Sequence, residues 1–290
     1  MGVWHLSGLG KRPGAVTVPL TYIYILLKAA SLEDEDAKKF FDTSGEYSQE
    51  LKGAPEGLIL FTSKEVIEGT VGGEIRDEWF GTSSESIPKS IAKYLTKLLE
   101  WLRDTRFTPF YGNEWIKEIY LVKVQHDNFD DCYFKIGITV KALREKEIWA
   151  NMIGGANQIN SALLVAGSLF AAVQRYYYIF QSRTELLHPE IDKPDSRNLK
   201  SIAYGLSDKW RELPVFHLDT GAIINRLNRL FEERGERVNI NEVKRILREL
   251  NYPEMYLSKL RGKLISIQGG DKVVRGPMLE KLAEMVNRIE

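Results

Sequence analysis

Three short stretches of the chain hold most of the groups that could bind an anion. Gly8-Leu9-Gly10-Lys11-Arg12-Pro13-Gly14 sets glycines beside two cations. Thr62-Ser63-Lys64 offers two hydroxyls and an ammonium. Gly154-Gly155-Ala156-Asn157-Gln158 places adjacent glycines before two amide side chains. Glycine permits positive φ and lets a ligand come close to the backbone. The amides that open a helix are unpaired donors at the positive end of its dipole. A glycine turn that runs into a helix therefore suits a phosphate, and Lys or Arg adds charge-assisted hydrogen bonds. Taken singly, each stretch reads equally well as a tight turn that binds nothing.

The totals narrow the chemistry. The chain has 290 residues, with 40 basic and 40 acidic side chains. Bulk charge gives no argument for nucleic-acid binding, so any basic surface must be local. The single cysteine, Cys132, excludes an internal disulfide and a cysteine-based zinc site. No residue pattern calls for a metal or a cofactor. The opening residues do not read as a signal peptide, and one cysteine fits a reducing compartment, so a cytoplasmic location is expected. The apolar run from Ala162 to Val173 is too short for a membrane span.

The elements that position the three stretches alternate. Val3–Ser7 reads as a strand, and the first turn follows it. A helix starts at Thr17 as N-cap, with Pro19 in its first turn and an apolar body from Leu20 to Leu27. Ala37–Phe41 reads as a surface helix. Leu58–Phe61 is a buried strand that ends at Thr62. Residues 69–84 read as a hairpin or loop in which Trp79 and Phe80 either cap a pocket or pack. An amphipathic helix starts at Ser86, and Ile119–Val122 is a third strand. A helix over Asp131–Lys146 follows. Ile148–Ile153 is a fourth strand, ahead of the glycine pair and a buried helix. Tyr176–Phe180 is a fifth strand. Strands alternating with helices predict an α/β fold, a mostly parallel sheet covered by helices on both faces. Ligands of such sheets sit beyond the carboxyl ends of the strands, where strand order reverses. The three stretches all lie at such ends and are expected to meet in space.

We place the first domain at residues 1–182, a polar connection at 183–212 and a second domain at 213–290. The second reads as helix over Leu218–Arg234, a capped helix from Asn239 to Leu250, a third helix over Glu254–Lys263, a two-stranded wing and a closing helix over Met278–Ile289. That order is a winged helix-turn-helix pattern. Lys259, Arg261, Lys263, Lys272 and Arg275 fall on its third helix and wing as candidate DNA contacts. From Leu213 on there are 14 basic and 11 acidic residues, a net of about +3, so the bias is mild. A packing or dimerisation module is the alternative.

The segment His5–Thr17, with Gly8-Leu9-Gly10-Lys11-Arg12-Pro13-Gly14 at its centre, resembles the first strand and loop of the CRISPR-associated Rossmann-fold (CARF) domains. Asn151–Asn160 looks like their second signature, a strand, Gly-Gly and a helix start. The resemblance spans roughly residues 1 to 182, and a C-terminal winged helix is a known attachment in that family. It implies a Rossmann-like fold and a homodimer whose two sensor domains share a two-fold pocket for a cyclic oligoadenylate, usually the tetra-adenylate. It implies Gly8, Leu9, Gly10, Pro13, Gly14, Thr62, Ser63, Gly154, Gly155, Ala156, Asn157 and Gln158 as ligand contacts. Members that cleave the ring do so without metal, by attack of a ribose 2′-OH on its own phosphate. Lys11, Arg12 and Lys64 are then the candidate catalytic cations. Arg12 stands where many members have Ser or Thr, and Asn157 where many have Lys. Two functions follow, a ring nuclease and a ring-responsive DNA-binding regulator. A third reading, a ribonuclease using Arg183 and His188, fits less well, because the pair lies just before Pro189 rather than on a long helix.

Overall fold

The computed structural model describes residues 2–10, 14–31, 34–41, 55–68, 70, 116, 118–179, 209–213 and 220–289. Contacts divide the chain into two compact units, Met1–Leu164 with Ala172–Val215, and Val165–Ala171 with Phe216–Glu290.

The first unit is built on β1 (Val3–Leu9), α1 (Gly14–Ser31), α2 (Glu35–Phe41), β2 (Pro55–Thr62) and α3 (Lys64–Glu68). β3 (Glu118–Lys123), α4 (Phe129–Ala142), β4 (Glu147–Asn151), α5 (Asn157–Phe170), β5 (Arg175–Ile179) and β6 (Trp210–Glu212) follow. The six strands lie in the order β3-β2-β1-β4-β5-β6. The first five are parallel, and β6 runs antiparallel to β5. The step from β1 to β2 goes one way along the sheet and the step from β4 to β5 goes the other. Right-handed crossovers then place α1 and α5 on opposite faces. The reversal between β1 and β4 is the switch point, and it is where the first and third glycine stretches begin.

The pleat sorts side chains by face. Register aligns Leu58, His5, Trp149 and Arg175 in one row, and Leu60, Ser7, Asn151 and Tyr177 in the next. The first of these faces packs against α1 and α2, in a core that includes Leu58, Leu60, Trp149, Tyr177, Ile23, Leu27 and Phe41. On the other face the Tyr176 hydroxyl donates to the Leu163 carbonyl of α5 at 3.5 Å. α1 is buried nearly all round from Val16 to Ala30, as its apolar composition requires. The lower row is unusually polar for a core. His5 Nδ1 and the Tyr177 hydroxyl are 3.0 Å apart, and the Arg175 guanidinium sits 4.5 Å over the Trp149 ring. Burial holds His5 far below its ordinary value, at about 3, so it is neutral in the folded protein.

Several expectations are corrected. α1 starts at Gly14 rather than Thr17, so Pro19 lies inside the helix instead of in its first turn. α4 opens at Phe129 because Asn128 caps it, its side chain accepting from the amides of Asp130 and Asp131. Trp210–Glu212, read from sequence as the end of a polar connection, forms the sixth strand. Trp210 stacks on Tyr177 at 4.4 Å, which gives so short a strand an anchor. Cys132 is buried, as expected of a small apolar residue, and burial pushes its thiol up to about 11. Lys11, Arg12, Pro13, Trp79, Phe80, the helix from Ser86, Arg183 and His188 lie outside the described residues.

In the second unit, α6 (Thr220–Arg234), β7 (Arg237–Asn239), α7 (Ile240–Glu249), α8 (Leu257–Leu260), β8 (Ile265–Gln268), β9 (Lys272–Arg275) and α9 (Leu279–Asn287) follow in order. The small antiparallel sheet runs β7-β9-β8. Asn239 and Glu242 form the capping box expected from sequence. β7 was not anticipated, although buried Val238 between two exposed residues is its signal. The third helix expected over Glu254–Lys263 is instead a 3-10 turn, Glu254–Tyr256, and the single α-turn of α8. Extended Arg261 and Gly262 at φ 83° end it. Among the described residues no helix is long and apolar enough to cross a membrane.

Candidate functional site

The two glycine stretches meet at the switch point, backbone against backbone. A Cβ on Gly8 would collide with the carbonyl of Gly154, and one on Gly154 would collide with the carbonyl of Gly8. A Cβ on Gly155 would come within 2.8 Å of the Gly8 Cα. These three glycines are therefore required by packing between β1 and the β4–α5 turn. Positive φ, expected of the glycine pair, applies only to Gly155, at 81°. Gly10 and Gly14 differ. A Cβ at Gly10 would sit at an ordinary 3.8 Å from Gly155, and one at Gly14 at 4.0 Å from Val18. Among the described residues, neither packing nor backbone conformation demands glycine at these two positions.

Above this contact lies a run of free donors. Ala156 acts as the cap of α5, its carbonyl accepting from Ile159 at 3.0 Å and Asn160 at 3.3 Å. Among the described residues, the backbone N–H groups of Gly154, Gly155, Ala156, Asn157 and Gln158 have no hydrogen-bond partner. Consecutive unpaired donors at the start of a helix are the kind of group that an anion takes up. The Asn157 side chain is exposed and Gln158 is half-buried.

The Thr62–Lys64 stretch is tied to the end of β1 through Thr62 alone, and with different chemistry from that expected. Thr62 is fully buried, and its hydroxyl donates to the Leu9 carbonyl at 2.8 Å, tying the end of β2 to the end of β1. Lys64 is exposed and pairs with Glu68 at 3.7 Å. The Ser63 hydroxyl holds the Glu65 carboxyl below its usual range, with smaller help from the Glu65 amide, His126 and Lys64. Lys64 thus has one carboxylate partner, Glu68, and lies near enough to Glu65 to favour its charged form.

Two residues absent from the sequence-level site organise it from beneath. Asn151, buried at the end of β4, donates from Nδ2 to the Ser7 hydroxyl at 3.0 Å and to the Ala15 carbonyl at 2.8 Å. Its Oδ1 accepts from the Ile153 amide at 3.0 Å. The Ser7 hydroxyl donates to the Gly8 carbonyl at 3.0 Å. Their signal in the sequence is a polar residue near the carboxyl end of each of two apolar strands, VWHLSGL and EIWAN.

In the second unit the candidate DNA contacts do not share one setting. Arg261, Lys263 and Lys272 are exposed. Arg275 is partly buried, with its guanidinium 5.7 Å over the Phe231 ring. The side chain of Lys259 lies outside the described residues. The cations of α7 are paired: Lys244 with Glu254 at 3.1 Å, Arg248 with Glu254 at 3.9 Å and Arg245 with Glu249 at 3.5 Å.

The fold and its switch-point turns define an α/β protein of Rossmann-like topology, with a small second unit of helices and a three-stranded antiparallel sheet. The chain belongs to one family with an uncharacterized protein of Archaeoglobus fulgidus, to which it is 45% identical over 298 residues, across 100% of this chain and 91% of the relative. No family model matches the sequence. By fold the chain is similar to Csm6 of Enterococcus italicus bound to cyclic hexa-2′-fluoro-hexa-dAMP, at 12% identity and a TM-score of 0.41, over 87% of this chain and 49% of that one. It is also similar to Can2 of Sulfobacillus thermosulfidooxidans in complex with cyclic tetra-adenylate, at 11% identity and a TM-score of 0.30, over 98% of this chain and 63% of that one. The chain thus spans about half the length of the first and less than two thirds of the second.

Proposed function

We propose that the chain binds a cyclic oligoadenylate, in the first instance the tetra-adenylate, at the switch point between β1 and β4. The observation that carries this reading is the run of five amides from Gly154 to Gln158 that have no partner among the described residues, set against the end of β1. A ring of phosphodiesters presents repeated anions that such donors fit. Gly10 and Gly14, where no described residue makes glycine necessary for packing, would let a ligand approach the backbone. Lys11 and Arg12 join these glycines in sequence and supply the cations that Lys64, paired with Glu68, supplies poorly. The ring's symmetry is matched by a homodimer in which two copies each contribute one such end.

Ring opening is the finer half of the proposal. A ribose 2′-OH attacks the adjacent phosphorus and gives up its proton to solvent, the P–O5′ bond breaks, a 2′,3′-cyclic phosphate forms and the leaving 5′-oxygen takes up a proton from solvent. The nucleophile belongs to the substrate, so the chain's part is in-line geometry and stabilisation of charge on the phosphoryl oxygens. Amides of the β4–α5 turn and the Arg12 guanidinium suit that part. Labelled cyclic tetra-adenylate incubated with the protein tests both halves. Linear products are expected, and tight binding with an intact ring would remove cleavage while keeping binding.

A second reading, a ligand-responsive DNA-binding regulator, is supported by the helix–strand–helix–turn–hairpin order of the second unit, an order compatible with a winged helix. Its one-turn third helix and paired α7 cations weigh against deep reading of the major groove. Salt-sensitive binding to DNA upstream of the gene, changed by the cyclic ligand, is the outcome it requires.

A further inference from the structure

Pro19 lies inside α1, and proline carries no N–H to reach back four residues. The carbonyl it leaves without a helical partner is that of Ala15, in the first turn of α1. That carbonyl is the one Asn151 Nδ2 meets at 2.8 Å. The same side chain also holds the Ser7 hydroxyl of β1 and the Ile153 amide that starts the β4–α5 turn. One buried amide thus fastens the end of β1, the opening of α1 and the approach to the five free donors. The bond to Ser7 is buried and the other two are partly so, and the Asn151 side chain itself is buried, where an unmet partner is costly.

We propose that Asn151, working with Pro19 and Ser7, is the positioning residue that fixes the two glycine turns at their ligand-binding separation. It touches no ligand itself. Pro19 has a use here: it presents no N–H to the Ala15 carbonyl, which is left to accept from Asn151. This inference rests on the cyclic-oligoadenylate reading of the site.

The test measures cyclic tetra-adenylate affinity by calorimetry for the full chain and for Asn151→Ala, Ser7→Ala, Pro19→Ala and the Pro19→Ala/Asn151→Ala pair, at a temperature where circular dichroism shows each variant folded. Asn151→Ala is expected to weaken binding by at least about tenfold, and Ser7→Ala by less. Pro19→Ala returns an amide that competes for the Ala15 carbonyl, so it weakens binding without lowering the melting temperature. In the absence of Asn151 the same change has no further effect on affinity, a non-additivity expected of partners in one network. Residues that merely hold the core together would lower the melting temperature and leave the affinity of folded protein unchanged. Unchanged affinity in Asn151→Ala, or strict additivity in the pair, overturns the inference and leaves the ligand reading standing. If Asn151→Ala does not fold, Ser7→Ala and Pro19→Ala decide it, with unchanged affinity in both overturning it. No binding of any ring size by the unaltered protein overturns both.

Discussion

The carboxyl end of the large sheet and the helical face of the second unit treat charge in opposite ways. At the sheet end, among the described residues, donors stand free and cations are few. On α7 the cations are many, and Lys244, Arg245 and Arg248 each have a carboxylate within 4 Å. Free, fixed dipoles need no reorganisation to receive an anion, whereas a paired cation must first leave its partner. The difference favours the sheet end over α7 as a place for an anion, while Arg261, Lys263 and Lys272 of the second unit are exposed.

The sharpest way to break the comparison is at the glycines. Gly154→Ala or Gly8→Ala forces backbone against backbone and should cost about 3 kcal/mol or more, measured by urea unfolding. Gly10→Ala should change stability by no more than about 0.5 kcal/mol, yet weaken ligand binding. Equal losses of stability at Gly8 and Gly10 would show that packing does not separate them.

Next in size is the buried row beneath the site. The folded value of His5 is lowered to about 3, against an ordinary 6.5. Below about pH 6.5 the unfolded chain therefore takes a proton that the folded chain refuses, and stability is lost as pH falls towards 3. Between pH 7 and pH 5 the loss from this group is about 2 kcal/mol. His5→Gln should remove that part of the slope in unfolding free energy against pH, whatever its effect at pH 7. A slope identical to that of the unaltered protein would contradict it.

The smallest effect is on the other side of the comparison. Glu254→Gln releases Lys244 and Arg248 together. Stability should shift by less than about 1 kcal/mol, as for other exposed pairs. Non-specific DNA binding at low salt should strengthen, with a steeper salt dependence. No change in DNA binding would mean that α7 does not face a polyanion even when unpaired.

Much of this was legible in the sequence. Apolar strands, glycine turns and buried helices gave the order of the sheet's elements, and the position of the first and third stretches at strand ends follows from that alternation. The strand order itself came from the structure, since periodicity says nothing about which strands are neighbours. The glycines illustrate the limit. Gly8, Gly10, Gly154 and Gly155 look alike in sequence, and only the contact between β1 and the β4–α5 turn separates those held by packing from Gly10. Thr62 looked like a ligand hydroxyl because nothing local shows that Leu9 lies 2.8 Å away. Asn151 was passed over because a single polar residue at a strand end carries no pattern of its own. β6 was missed for a related reason: three residues are too few for alternation, and its anchor, Trp210 on Tyr177, is 33 positions away in the chain.

The contact between Gly8 and Gly154 also bears on how such a protein can change its specificity over time. Neither residue can acquire a side chain unless the other's backbone moves, so both are closed to stepwise substitution. Gly10, Gly14, Asn157 and Gln158 carry no such lock. On the proposed function, adaptation to a new ligand would run through these positions, one tolerated replacement at a time, over a floor that stays as it is.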